Sequence, residues 1–110
     1  MGKPEGRIEN HLIARCEENG FVCRKYTSPG RKGPPDRIVM CRGHVVFIEC
    51  KSPTGTLSPI QKLEIKKMLR QGCDVRVYSS KEQIDGFIEE ALGWKPARFE
   101  IPEDMKKLLE

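Results

Sequence analysis

The sequence predicts an α/β fold: a mixed central sheet of about four strands flanked by helices, in the order α-β-β-β-α-β-α. Three observations lead there. Apolar residues recur at helical spacing in three separate segments, around Ile8–Cys16, Ile65–Leu69 and Ile84–Leu92. Between the first two lie the apolar runs Ile38-Val39-Met40-Cys41 and Val45 to Cys50, separated by Arg42-Gly43 in the pattern of a β-hairpin. Finally, Asp74-Val75-Arg76-Val77-Tyr78 is a strand entered from a helix, which makes it parallel to the Val45 strand through a right-handed crossover.

The first helix is expected from about Pro4 to Asn19. Ile8, Leu12, Ile13 and Cys16 form its apolar stripe, and Gly20 stops it. Glu9 sits one residue off that stripe, placed either to reach a site on the sheet or to remain a surface carboxylate near a helix N-terminus. Phe21 to Tyr26 follows as a strand. Ser28-Pro29-Gly30-Arg31-Lys32-Gly33-Pro34-Pro35 is too rich in glycine and proline to be helix or strand. In the second hairpin strand Val45 and Phe47 share one face and Val46 and Ile48 the other, the mark of a central strand covered on both sides. After the loop Ser52 to Thr56, Ser58 and Pro59 supply the N-cap and first turn of a second helix that ends near Gln71-Gly72. Gln61 has two competing uses: it completes a Ser-x-x-Gln capping box, and it shares an inward face with Ile65, Met68 and Leu69. Ser79, Ser80 and Glu82 open a third helix that stops at Gly93. Residues 1–93 thus form one domain. Residues 94–110 are a tail, irregular at first and with a short terminal helix expected over Pro102 to Glu110, whose Trp94 and Phe99 pack either on that domain or on a second copy.

Composition narrows the function. The chain has 110 residues, a hydrophobic fraction of 37% and a charged fraction of 33%, and no apolar run approaches the length of a membrane span. Met1-Gly2-Lys3-Pro4-Glu5 leads straight into a charged amphipathic segment, which argues against a signal peptide. With Gly at position 6, Met1-Gly2 does not make a myristoylation site. Five cysteines, an odd number without any Cys-x-x-Cys pair, read as small core residues of a reducing, cytoplasmic compartment. A net charge of +4 permits a polyanionic partner. Its distribution is more telling: Arg24-Lys25, Arg31-Lys32 and Arg37 crowd the approach to Asp36, where cations can hold phosphates while acids hold a metal.

The chemistry centres on Asp36, Glu49 and Lys51. A carboxylate and an ammonium at the end of a buried strand are costly unless compensated. Glu49 and Lys51 project from the same face, about 6 to 7 Å apart along the strand. If Arg42 and Gly43 form the loop, Cys41 pairs with His44 and the residue numbers of every further pair sum to 85. Asp36 then faces Glu49, with Cβ atoms about 4.5 to 5.5 Å apart, and a divalent cation would relieve the repulsion. A three-residue loop would instead place Asp36 opposite Cys50 and turn it away. The same residues also fit a charged sheet end in which Asp36 is a turn residue and Glu49 pairs with Lys51 or an arginine.

Taken in order, Glu9 on a helix, Lys25 on a strand, Ser-Pro-Gly-Arg-Lys-Gly-Pro-Pro-Asp-Arg, Val-Phe-Ile-Glu-Cys-Lys-Ser-Pro and Ser-Pro-Ile-Gln opening a helix closely resemble the small stand-alone VRR-NUC domains. These viral and bacterial domains are a branch of the PD-(D/E)xK nuclease superfamily. The likeness spans about Glu5 to Ile88. Pro34, where a small apolar residue is usual, is a mild departure that stiffens the loop. The resemblance implies a restriction-endonuclease-like core and an Mg²⁺- or Mn²⁺-dependent endonuclease. In it, Asp36, Glu49 and the backbone carbonyl of Cys50 hold the metal, Glu9 contributes directly or through a water, and Lys51 lies beside the attacked phosphate. Gln61 supports this group, and Lys25, Arg31, Lys32 and Arg37 contact DNA. Branched DNA cut by a homodimer, a Holliday junction above all, is the expected substrate. A flap nuclease, a non-catalytic DNA-binding module and a phosphoesterase for small substrates remain alternatives.

Overall fold

The backbone at Arg42-Gly43 sets the geometry of the sheet. Both residues have positive φ, 52° and 82°, as a two-residue type I′ turn requires. Glycine adopts this freely. Arginine does not, and the chain secures it from outside: Arg42 Nε donates to the carbonyl of Trp94 at 2.7 Å, and the amide of Ala97 donates to the carbonyl of Arg42 at 2.9 Å. The turn joins β2 (Arg37–Cys41) to β3 (His44–Cys50), paired from Cys41 with His44 to Arg37 with Ile48, the register expected from sequence.

This computed structural model describes residues 4–110, so the expectations for Met1-Gly2-Lys3 lie outside the described residues. β1 (Val22–Lys25) lies antiparallel to β2, and β4 (Asp74–Tyr78) lies parallel to β3. The result is a four-stranded mixed sheet in the order β1-β2-β3-β4. The helices are α1 (Pro4–Glu18), α2 (Pro59–Arg70), α3 (Lys81–Leu92) and a short α4 (Glu103–Leu109), which falls within the terminal helix expected over Pro102 to Glu110. α1 ends before Gly20, whose φ is 71°, and the amide of Phe21 turns back to the carbonyl of Cys16. Ser58 caps α2, Pro59 occupies its first turn, and Ser80 caps α3.

One face of the sheet carries the core. Val39, Cys41, Val46, Ile48 and Cys50 are buried there with Ile8, Leu12 and Cys16 of α1 and Ile84, Phe87, Ile88 and Ala91 of α3. Each large apolar side chain removed from water contributes about 1.5–3 kcal/mol, which anchors the strands beneath the site. The opposite face is less covered than the alternation in β3 implied. Phe47 is half-buried against the Tyr26 ring at 5.3 Å, but Val22, Met40 and Val45 are exposed. α2 lies against β4 on that side and leaves the turn end of the sheet open. Leu69 is likewise exposed rather than inward. It stands about 80° round the helix from Gln61, so Gln61, Glu64, Ile65 and Met68 form the sheet-facing set.

Trp94 lies on the domain. Its ring sits 4.7 Å from His44 and 6.1 Å from Phe87, with the Arg76 guanidinium 5.5 Å from its centre. Asp74 and Glu90 hold that guanidinium in place. Phe99 is exposed, as are Leu108 and Leu109 of α4. All five cysteines are free, three of them buried. Among the described residues no helix is long and apolar enough to cross a membrane.

The turn is testable. A Cβ on Gly43 would force a positive φ on alanine and collide with Ala97. Gly43→Ala is expected to cost about 1–2 kcal/mol, measured by denaturant unfolding. A neutral result would contradict this turn geometry.

Candidate active site

Asp36 enters the site through its neighbours. Pro35 is fully buried and fixes the end of the basic loop, and the Asp36 carbonyl accepts from the amide of Tyr26 at 2.9 Å. One step beyond the Arg37–Ile48 pair, Asp36 stands opposite Glu49. Its carboxylate accepts from the Cys50 amide at 3.0 Å, bridging β2 and β3 where their ladder ends. Glu49 is only 3% exposed, the one buried charged residue among those described. Lys51 Nζ lies 3.2 Å from Glu49 Oε2, as the shared face of alternate strand residues requires.

Gln61 performs both of its roles at once. Its side-chain oxygen accepts from the Ser58 amide at 2.9 Å, completing the capping box, while its Nε2 donates to Glu49 Oε2 at 3.0 Å. An amide has a donor end and an acceptor end, so the cap and the site do not compete. The cap fixes the side chain that steadies the buried carboxylate.

Glu9, Asp36, Glu49, Cys50, Lys51 and Gln61 line one cavity of about 260 Å³. Burial raises the proton affinity of Asp36, opposed by the Cys50 amide and supported by repulsion from Glu9. Burial and then repulsion from Asp36 do the same to Glu49, against the pull of Lys51 and the Asp36 amide. The loss of hydration thus outweighs the pull of Lys51 on both acids. Burial also pushes the Cys50 thiol up to about 12, so this residue offers the site its backbone and not a thiolate.

Glu9 is positioned differently from the other acids. Its Oε2 accepts from Arg37 Nε at 2.7 Å, a partly buried ion pair that joins α1 to the start of β2. Among the described residues no three His, Cys, Asp or Glu side chains converge as a ready-made metal cage. Asp36 and Glu49 with a main-chain carbonyl still offer hard oxygen donors. That set suits Mg²⁺ or Mn²⁺, which take one or two carboxylates and complete their shell from water and substrate phosphate.

The four basic residues separate. Lys32 opens onto a neighbouring cavity, Arg31 turns towards Glu64 at 3.8 Å, Arg37 pairs with Glu9, and Lys25 is exposed at the end of β1. The Arg37–Glu9 pair was not anticipated. Strand alternation carries the signal: Arg37 follows Asp36 and so faces the opposite side, where α1 lies. Thr56, Ser58 and Ile60, which line the cavity beside Lys32, had no signal of their own.

No family model matches the chain. It is 37% identical over 79 residues to "Putative nuclease p44" of Acyrthosiphon pisum secondary endosymbiont phage 1, covering 71% of this chain and 85% of that protein. A solved structure described as a VRR_NUC domain superposes with a TM-score of 0.73 at 33% identity, covering 80% of this chain and 97% of the solved one.

Because folding raises the proton affinity of Asp36 and Glu49, the metal-free protein is destabilised by both at neutral pH. That penalty declines as pH falls through the native values towards the ordinary carboxylate range. In EDTA at neutral pH, Asp36→Asn is expected to stabilise the fold by about 0.5 kcal/mol, the scale of relieved cross-strand repulsion. The difference from wild type is expected to vanish on acidification. Urea unfolding at two pH values checks this, and a destabilised variant at neutral pH would contradict it.

Proposed function

Since the chain belongs to the VRR-NUC family of nucleases, we propose that it is an Mg²⁺- or Mn²⁺-dependent endodeoxyribonuclease acting on branched DNA as a homodimer. The observation that carries this is the buried, under-compensated carboxylate pair sharing a cavity with Lys51 and Gln61. Among the described residues, the three carboxylates of Glu9, Asp36 and Glu49 meet only the cations of Arg37 and Lys51 here, an excess of negative charge that a divalent ion would neutralise.

Asp36, Glu49 and the Cys50 carbonyl would hold the metal, with Glu9 reached through water while Arg37 keeps one of its oxygens. When bound, the metal would lower the pKa of water and neutralise charge on the attacked phosphate. Gln61 restrains Glu49 by one amide hydrogen bond. Lys51 stands beside the carboxylate and presents its ammonium where the phosphate charge builds, positioning the water or stabilising that charge. The basic loop draws the polyanion in, which makes binding strongly salt-dependent.

Two further features support the dimer on a branched substrate. The described residues hold one such acidic pair, so symmetric incision of opposed strands requires two copies related by a twofold axis. Apolar residues stand unpartnered at Val22, Met40 and Val45 on the sheet and at Phe99, Leu108 and Leu109 in the tail. A Holliday junction fits a twofold enzyme best, with flaps as the neighbouring case.

Nicking assays on junction, flap, duplex and single-stranded DNA, with solution mass measured alongside, test the proposal. Cleavage is expected only with Mg²⁺ or Mn²⁺ and is expected to fall about 10²–10³-fold or more in Asp36→Ala and Lys51→Ala, with DNA binding retained. DNA binding without metal-dependent cleavage of any form would instead assign the chain as a binding module.

A further inference from the structure

We infer that the cavity beside the acidic pair is a subsite for one unpaired nucleotide adjoining the scissile phosphate; this rests on the nuclease reading above. Lys32, Gly33, Pro34, Thr56, Ser58 and Ile60 line it, and it shares Lys51 and Gln61 with the smaller cavity that holds Asp36 and Glu49. A strand whose phosphate sits at the acids therefore continues into this space. Its volume of about 520 Å³ lies in the range of small-ligand pockets.

The walls divide by chemistry. Lys32 and Lys51 supply ammonium groups, and Thr56 and Ser58 supply hydroxyls. The Ser58 oxygen already accepts from the Gln61 amide, yet its hydroxyl hydrogen remains available to an anionic oxygen. Pro34 and Ile60 form an apolar corner, and Ile60 is 49% exposed in the first turn of α2. An isolated phosphate would use only the first set. A nucleotide uses both, with its phosphate on the cations and its sugar and base on the apolar corner.

This cavity has a fixed wall. Gly33 has a φ of 91°, and a Cβ there would stand 2.8 Å from Ile60 Cγ2 and 2.9 Å from the Ile60 carbonyl oxygen. The basic loop is thus pressed onto the start of α2 without an intervening side chain. Arg31, 3.8 Å from Glu64, makes a second link between the same two elements. A base at a branch point is free to leave its stack and turn into this space, whereas one paired within a duplex must first be unpaired at an energetic cost, as in base flipping. That difference gives a physical origin for preferring branched DNA.

The test uses the full chain, amide-resolved NMR and 5′-dTMP as probe, in EDTA. Saturable shifts are expected at Gly33, Thr56, Ser58 and Ile60, weakened about fivefold in Lys32→Ala and likewise in Ile60→Ala. Shifts confined elsewhere, an absence of saturation, or binding unchanged in both cavity variants overturns the subsite. Inorganic phosphate that shifts the same amides as strongly as 5′-dTMP also overturns it, because the apolar corner would then be idle. The titration involves neither metal nor hydrolysis, so its outcome is independent of the nicking assay.

Discussion

Two carboxylates, Asp36 and Glu49, are held together on one face of a sheet by the pairing of β2 with β3, although like charges at that distance repel. The rest of the molecule arranges itself around this constraint. A shift of one residue in the hairpin would send Asp36 to the other face and leave Glu49 buried beside Lys51 alone. Arg42 and Gly43 prevent that shift through their paired positive φ values, and the segment from Trp94 to Ala97 holds the turn from outside. The tail is therefore coupled to the site at the far end of the same strands.

Support beneath the pair comes from packing, and control of its orientation comes from hydrogen bonds. Val46, Ile48 and Cys50 are buried against α1 and α3, which leaves Glu49 facing α2 on the alternate side. There Gln61 connects the capping of α2 to Glu49 with a single amide. Across the strand end the Cys50 amide holds Asp36, and on the α1 side Arg37 holds Glu9. Each acid thus has a different restraint. These restraints orient the oxygens without cancelling the charge of the pair, which is the condition a divalent cation meets.

Much of this was legible in the residues, and what was not has identifiable reasons. The hairpin register followed from the spacing of Asp36 and Glu49 about Arg42-Gly43, because strand alternation leaves few choices once the loop length is fixed. Element order followed from periodicity, and the short terminal helix expected over Pro102 to Glu110 forms as α4, although it buries none of its residues. The open face at Val22, Met40 and Val45 was not legible, since apolar alternation in β3 records the residue types and not how far α2 extends. The double use of Gln61 was hidden for another reason: a sequence pattern credits a side chain to one role, whereas an amide has two ends. Strand alternation puts Arg37 on the α1 side, but its pairing with Glu9 also depends on where α1 crosses the sheet, which local sequence does not encode.

Direct measurement of Mn²⁺ binding, by electron paramagnetic resonance on the full chain without DNA, addresses the central claim most closely. Wild type is expected to take up Mn²⁺ saturably, with affinity falling about tenfold or more in each of Asp36→Asn and Glu49→Gln, as expected when one carboxylate of a shared site becomes neutral. Affinity unchanged in both variants would mean that the two acids do not hold a common ion, and would contradict the account.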